Sequence, residues 1–136
     1  MATIHDITVL VVDDQPSMRM LHRQNLRELG IRTVIEAGNG FEALEILRKQ
    51  PIRLIMSDWN MGEMDGLTFF RRLQEHPMLR RVPFIMITGN VEADNVKLAI
   101  KSGVKVYLAK PYTLNALRSR IEACIGKLET FVPPRI

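Results

Sequence analysis

The stretch Leu54–Gly66, LIMSDWNMGEMDG, carries a short apolar run into a carboxylate, Asp58, and then breaks abruptly into turn residues. Leu54, Ile55 and Met56 are too few for an ordinary helix, and the Asn, Gly and Asp that follow end any periodicity. The run therefore reads as a buried strand with Asp58 at its carboxyl end. In an open parallel sheet, ligands bind at that edge. A carboxylate there is a metal ligand, a helix cap or a nucleophile, and the surrounding sequence has to choose among these.

Outward from this stretch the same alternation repeats. Ile7–Val12 reads as a strand ending in Asp13 and Asp14, and Pro16 suits the first turn of a helix that runs to about Leu29 before Gly30, with Met18, Leu21, Leu26 and Leu29 as its apolar stripe. Thr33–Ala37 is a second strand, and Gly38-Asn39-Gly40 turns into a helix carrying Phe41, Leu44 and Leu47 that Pro51 stops. After Leu54–Asp58, Asp65 is a candidate cap for a helix through Leu73. Pro83–Thr88 is a fourth strand, followed by Gly89-Asn90 and a helix from about Glu92 to Ser102, with Val96, Ala99, Ile100 and Gly103 on its apolar side. Val106–Ala109 is the fifth strand. Lys110-Pro111 follows, then Thr113 as a cap before a helix with Leu114, Leu117, Ile121, Ile125 and Leu128 on one side. Strands alternating with helices predict a parallel sheet covered on both faces, joined by right-handed crossovers.

The chain is 136 residues long, 46% hydrophobic and 25% charged, the balance of one soluble globular domain. No apolar run approaches the roughly 20 residues of a membrane-spanning helix, and no secretory signal is visible, so a cytoplasmic protein is expected. The single cysteine, Cys124, fits a reducing compartment and reads as a small core residue. The net charge of +4 is spread over helix faces without an aromatic-interleaved stripe, which gives no case for direct nucleic-acid binding. His5, His22 and His76 lack ligand spacing, and none is assigned to zinc or phosphotransfer.

Asp13, Asp14 and Asp58 thus share one sheet edge, where unpaired carboxylates repel and shift their pKa values upward. A hard divalent cation resolves that conflict, and Mg²⁺ suits a few carboxylates with positions left open to water or phosphate oxygens. One of the Asp13-Asp14 pair could instead cap the first helix. Thr88 and Lys110 end the fourth and fifth strands at the same edge. A hydroxyl and an ammonium stabilise charge on a transferring phosphoryl group, so the set reads as a phosphoryl acceptor.

The succession VLVVDD, SDWNMGEMDG, MITGN and YLAKP resembles the receiver domain of two-component response regulators, its chemotaxis branch above all, over about Ile7 to Leu128. The resemblance implies a flavodoxin-like (βα)5 fold with strand order 2-1-3-4-5 and a receiver over residues 1–129, then a tail over 130–136 with no output domain. It also implies that Asp58 accepts a phosphoryl group from a histidine kinase. Asp13, Asp14, Asp58 and the backbone carbonyl of Asn60 would hold Mg²⁺, Lys110 would contact the phosphoryl group, and the Lys110–Pro111 bond would be cis. Thr88 would move toward the phosphate and Tyr107 would turn inward, altering a surface read by a partner. Leu98, off the apolar side of its helix, would belong to that surface with Lys97 and Lys101; simple packing of Tyr107 and a lone exposed Leu98 are the plainer readings.

By the resemblance the protein is a monomeric signalling domain that supports only its own phosphorylation and dephosphorylation. Its downstream partner is a flagellar switch protein or, in a phosphorelay, a histidine phosphotransferase; a receiver cut from a larger regulator is a further variant. Several residues depart from or vary on the pattern. Gly62 stands where the family commonly has proline, which loosens the loop, and Gly89 replaces a small alanine. Asn60 and Asn90 stand at positions that influence attack by water and point to a labile phosphate. Trp59 is expected to be a partly exposed neighbour of the site. A flavin or dinucleotide enzyme is disfavoured because DDQPSM is no glycine-rich cradle, and a phosphohydrolase because no second acid is placed to protonate a leaving group.

Overall fold

Five short apolar runs, each too short for a helix and each followed by turn residues, form the strands of one parallel sheet. The computed structural model describes residues 7–89 and 96–128. His5, Asn90, the expected helix start at Glu92 and the tail from Thr130 to Ile136 lie outside the described residues. Along the chain run β1 (Thr8–Val12), α1 (Pro16–Glu28), β2 (Thr33–Ala37), α2 (Gly40–Lys49), β3 (Leu54–Asp58) and α3 (Gly66–Gln74). A 3-10 turn at Leu79–Arg81, absent from the sequence reading, precedes β4 (Phe84–Thr88), α4 (Val96–Ser102), β5 (Val106–Ala109) and α5 (Leu114–Ile125). The strand order is β2-β1-β3-β4-β5, all pairs parallel, as the resemblance implies.

Alternate residues of each strand point to opposite faces. Val9, Val11, Leu54, Met56 and Ile85 meet α1 and α5 through Leu26, Leu117 and Ile121. Leu10, Val12, Ile55 and Met86 meet α2, α3 and α4 through Leu47, Phe69, Leu73 and Ala99. With both faces covered, the central strands β1, β3 and β4 read as nearly continuous apolar runs. Phe84 ties the second layer together, its ring centroid 5.9 Å from that of Phe69 and 5.0 Å from that of Phe70. Among the described residues no helix is long and apolar enough to cross a membrane.

Local chemistry sets the helix ends. Asn39, Asp65 and Thr113 accept the backbone N–H of Glu42, Thr68 and Ala116, at 2.8, 2.7 and 3.0 Å. No side chain caps α1, and Asp13 instead takes the N–H of Gln15 at 2.9 Å, so neither acid of the pair is spent on a helix cap.

Several expected core positions differ. Leu21 and Phe41 are exposed, because α1 buries the stripe containing His22 and Leu26 while α2 buries Ala43 and Leu47. On α4 only Ala99 is buried and Ile100 faces out. Leu114 is exposed at the first turn of α5, and Leu128 lies beyond its end yet is buried, its N–H donating to Glu122 at 3.0 Å. Cys124 is half-buried beside the α1/α5 core, and burial pushes its thiol up to about 11.

Trp59 is the largest correction. It is 7% exposed, because the loop after β3 folds back until the Gly66 N–H donates to the Trp59 carbonyl at 2.7 Å, and the indole joins the α2/α3 core. Gly66 permits that closure. A Cβ there would run into the Asp58 carbonyl oxygen and come within 3.0 Å of Trp59 Cα. Nothing lies within 4 Å of the corresponding point at Gly62, so this glycine answers no packing need. In urea unfolding, Gly66→Ala is expected to lose about 1–3 kcal/mol, the usual cost of overpacking. Gly62→Ala should stay within about 1 kcal/mol of wild type; equal losses for the two would refute this account of the loop.

Candidate phosphoryl-acceptor site

Strand register brings the acids together. Val12 pairs with Ser57 and Asp58 with Ile87, so the residue after Val12, Asp13, lies beside Asp58. The ladder runs one residue past each strand: Asp13 N–H donates to Ala37 O at 3.1 Å and Lys110 N–H to Thr88 O at 2.8 Å. Between β1 and β3 the sheet order reverses, and open α/β sheets form their ligand crevice at that point.

One carboxylate oxygen from each of Asp13, Asp14 and Asp58 lies within 4.8 Å of the other two. Asp13 and Asp58 are buried, and Asp14 is exposed. Lys110 Nζ stands 2.9 Å from Asp58 Oδ1, and the Lys110–Pro111 peptide is cis, as the resemblance implies. Thr88 is buried at the end of β4, whereas Asn60 is exposed just beyond Asp58. Beside Lys110, a Cβ at Gly89 would meet the lysine Cε at 3.4 Å, so the glycine leaves the ammonium stem a little room.

Asp13 is the most constrained of the acids. Its Oδ1 accepts the Gln15 N–H, its carbonyl accepts Arg19 Nη1 at 2.6 Å, and its Oδ2 has no hydrogen-bond partner among the described residues. Arg19 also donates Nε to Glu36 at 3.0 Å, and Arg23 donates to the same carboxylate at 2.7 Å, which ties α1 to β2 behind the site. Burial by itself raises the pKa of Glu36, but the hydrogen bonds from Arg23 and Arg19 outweigh it and hold the carboxyl below its ordinary value.

His22 and Tyr112 are the neighbours that sequence reasoning missed. The imidazole is fully buried, its Nε2 3.7 Å from Asp13 Oδ2 and its Nδ1 2.5 Å from Tyr112 Oη. The signal was available: His22 lies four residues after Met18 and four before Leu26, a polar interruption of the buried stripe. The expected partner-surface residues Leu98, Lys97, Lys101 and Tyr107 are all exposed. Tyr107 is 40% exposed and points outward, while its carbonyl accepts Arg120 Nε at 2.9 Å.

Electrostatics separate the two buried acids. Burial tends to raise Asp13, yet the nearby His22 imidazole, the Gln15 N–H and the Lys110 ammonium together bring it below the usual carboxylate value. For Asp58, burial prevails: it outweighs the Lys110 contact, the Asp13 charge adds to it, and the carboxyl is raised.

The model of the response regulator receiver domain matches residues 9–122. A probable chemotaxis protein CheY of Rhizobium etli is 35% identical over 129 residues, covering 95% of this chain and 100% of the relative. Among solved structures, chemotaxis protein CheY4 of Vibrio cholerae superposes with a TM-score of 0.80 at 27% identity, covering 91% of this chain and 100% of that one. The receiver domain of a Pseudomonas aeruginosa sensor histidine kinase, solved with magnesium coordinated in its active-site cleft, gives 0.80 at 28% identity, covering 89% and 98%.

A raised folded pKa means that Asp58 costs stability once it ionises. As pH climbs from the unfolded carboxylate value, the unfolded chain gives up this proton before the folded one does, and stability falls until the folded pKa is passed. In metal-free protein, Asp58→Asn should match wild type in acid, gain on it through that window, and hold a constant advantage above it. Denaturant midpoints taken across the pH range test this; a mutant less stable than wild type at neutral pH contradicts it.

Proposed function

This chain belongs to the response regulator receiver family, and from that premise we propose that it takes a phosphoryl group onto Asp58 from a histidine kinase and signals by protein contact. The observation that carries the reading is the Lys110–Asp58 pair at 2.9 Å set among three acids at the ligand-binding edge of the sheet. In the step itself, an Asp58 carboxylate oxygen attacks the phosphorus of a kinase phosphohistidine. The new P–O bond forms as the P–N bond breaks, and the leaving imidazole keeps the electron pair. Crowding by Asp13 and by burial makes Asp58 an anion poorly stabilised in its resting state.

The donor set fits Mg²⁺. It offers hard carboxylate oxygens, one exposed acid that leaves coordination positions open, and a buried Asp13 Oδ2 without a hydrogen-bond partner. Asp13, Asp14, Asp58 and the Asn60 carbonyl would hold the ion. When bound, Mg²⁺ neutralises the acids and offsets the charge of the phosphoryl oxygens. Lys110, already at Asp58, would donate to one phosphoryl oxygen, and the Thr88 hydroxyl to another.

Transfer changes the charge at Asp58 and the partner of Lys110. Tyr107, three residues before that lysine, turns inward as Thr88 moves to the phosphate, and the face bearing Leu98, Lys97 and Lys101 changes with it. The Rhizobium etli relative is named as a probable chemotaxis protein, which favours a chemotaxis regulator over a phosphorelay intermediate; on this reading the chain acts in the cytoplasm and its downstream partner is a flagellar switch protein. The domain is a signalling device, not an enzyme with a separate substrate.

Intact-mass spectrometry with acetyl phosphate and Mg²⁺ is expected to show one added phosphoryl group on wild type. Asp58→Asn and an EDTA-treated control should show none. A wild type that stays unmodified by acetyl phosphate and by histidine kinases alike would refute the acceptor assignment.

A further inference from the structure

The α1 stripe brings one polar side chain into the α1/α5 core, the His22 imidazole, which lies nearly parallel to Tyr112 at an interplanar angle of 12° with centroids 5.7 Å apart. Tyr112 Oη contacts His22 Nδ1 at 2.5 Å, and Asn25 Nδ2 donates to the same hydroxyl at 3.3 Å. An amide NH₂ only donates, so the hydroxyl accepts from Asn25 and keeps its own proton to give. An unprotonated Nε2 would turn its lone pair on the Asp13 carboxylate 3.7 Å away, so in the neutral imidazole the proton resides on Nε2 and Nδ1 accepts from the Tyr112 hydroxyl.

That proton faces the site. Nε2 lies 3.7 Å from Asp13 Oδ2, and neither atom has a hydrogen-bond partner among the described residues. The separation is too long for a hydrogen bond and short enough for attraction. With Oδ1 held by the Gln15 N–H and Oδ2 faced by a buried N–H, the Asp13 carboxylate has one favoured orientation. Carboxylate ligands are commonly fixed by such outer partners, whose loss weakens the metal.

We propose that His22 is a positioning residue for Asp13, set in its Nε2–H tautomer by the facing Asp13 carboxylate and the Tyr112 hydroxyl, so that the carboxylate presents its oxygens to the cation. The role rests on the reading of Asp13, Asp14 and Asp58 as a Mg²⁺ site. It also joins that site to the corner between β5 and α5, because Tyr112 stands two residues beyond Lys110.

Two measurements decide it. Long-range ¹H–¹⁵N correlation spectra of the metal-free protein, with the His22 signals identified by their loss in His22→Gln, should show an unprotonated Nδ1 and a protonated Nε2. The opposite tautomer overturns the proposal without reference to any metal. Calorimetric titration with Mg²⁺ should then show His22→Leu weakened about tenfold or more. His22→Gln, whose amide N–H can reach the place of Nε2–H, should stay near wild type. Tyr112→Phe keeps the ring but frees the tautomer, and should fall between them with a mixed-tautomer spectrum. If His22→Leu fails to fold, the other two variants carry the same comparison. Equal affinity in all the proteins overturns the assignment of His22, as does equal weakening of the Leu and Gln variants. A wild type that does not bind Mg²⁺ overturns the metal reading of the acids, and the role of His22 with it.

Discussion

Three carboxylates, each with an oxygen within 4.8 Å of the other two, repel, and a cation among them relieves the repulsion. Lys110 supplies such a cation, reaching 2.9 Å to Asp58. The sheet serves this one contact. Parallel register aligns the ends of β1, β3 and β5, backbone bonds carry the ladder one residue beyond the strands, and both apolar layers keep the sheet rigid beneath the site.

Such a site stores tension in the resting state. Asp58 is raised by burial and by Asp13, while Asp13 is lowered by its neighbours, so two adjacent acids are pushed in opposite directions by their surroundings. Opposed shifts of this kind are what functional sites display, at a cost in stability that the rest of the fold offsets. Burial of large side chains such as Phe69, Leu73, Ile85 and Met86, each contributing about 1.5–3 kcal/mol, is the main counterweight.

The same contact connects the acids to the surface. Lys110 follows β5, whose Tyr107 faces outward, and it precedes Tyr112, whose hydroxyl reaches His22 and through it Asp13. On the proposed mechanism, a change in what Lys110 pairs with reaches both sides of the β5–α5 corner. One strand end thus holds the lysine that meets Asp58, and the aromatics flanking it face the exterior and the core.

Much of this was legible in the chain itself. β2, β3 and β5 are legible residue for residue, and so are the caps Asp65 and Thr113, because short apolar runs bounded by Gly, Pro, Asn and Asp leave little choice of local structure. Asp13, Asp14, Asp58, Thr88 and Lys110 could be placed on one edge because parallel strands all end on the same side. What the tertiary structure alone decided concerns faces and distances. Trp59 is buried because a loop closes over Gly66, Leu21 and Phe41 are exposed because neighbouring elements choose a different stripe, and His22 meets Tyr112 from 90 positions away in the chain. Periodicity records which residues share a helix side, but only packing against the rest of the fold determines which side is inside and which buried polar groups find one another.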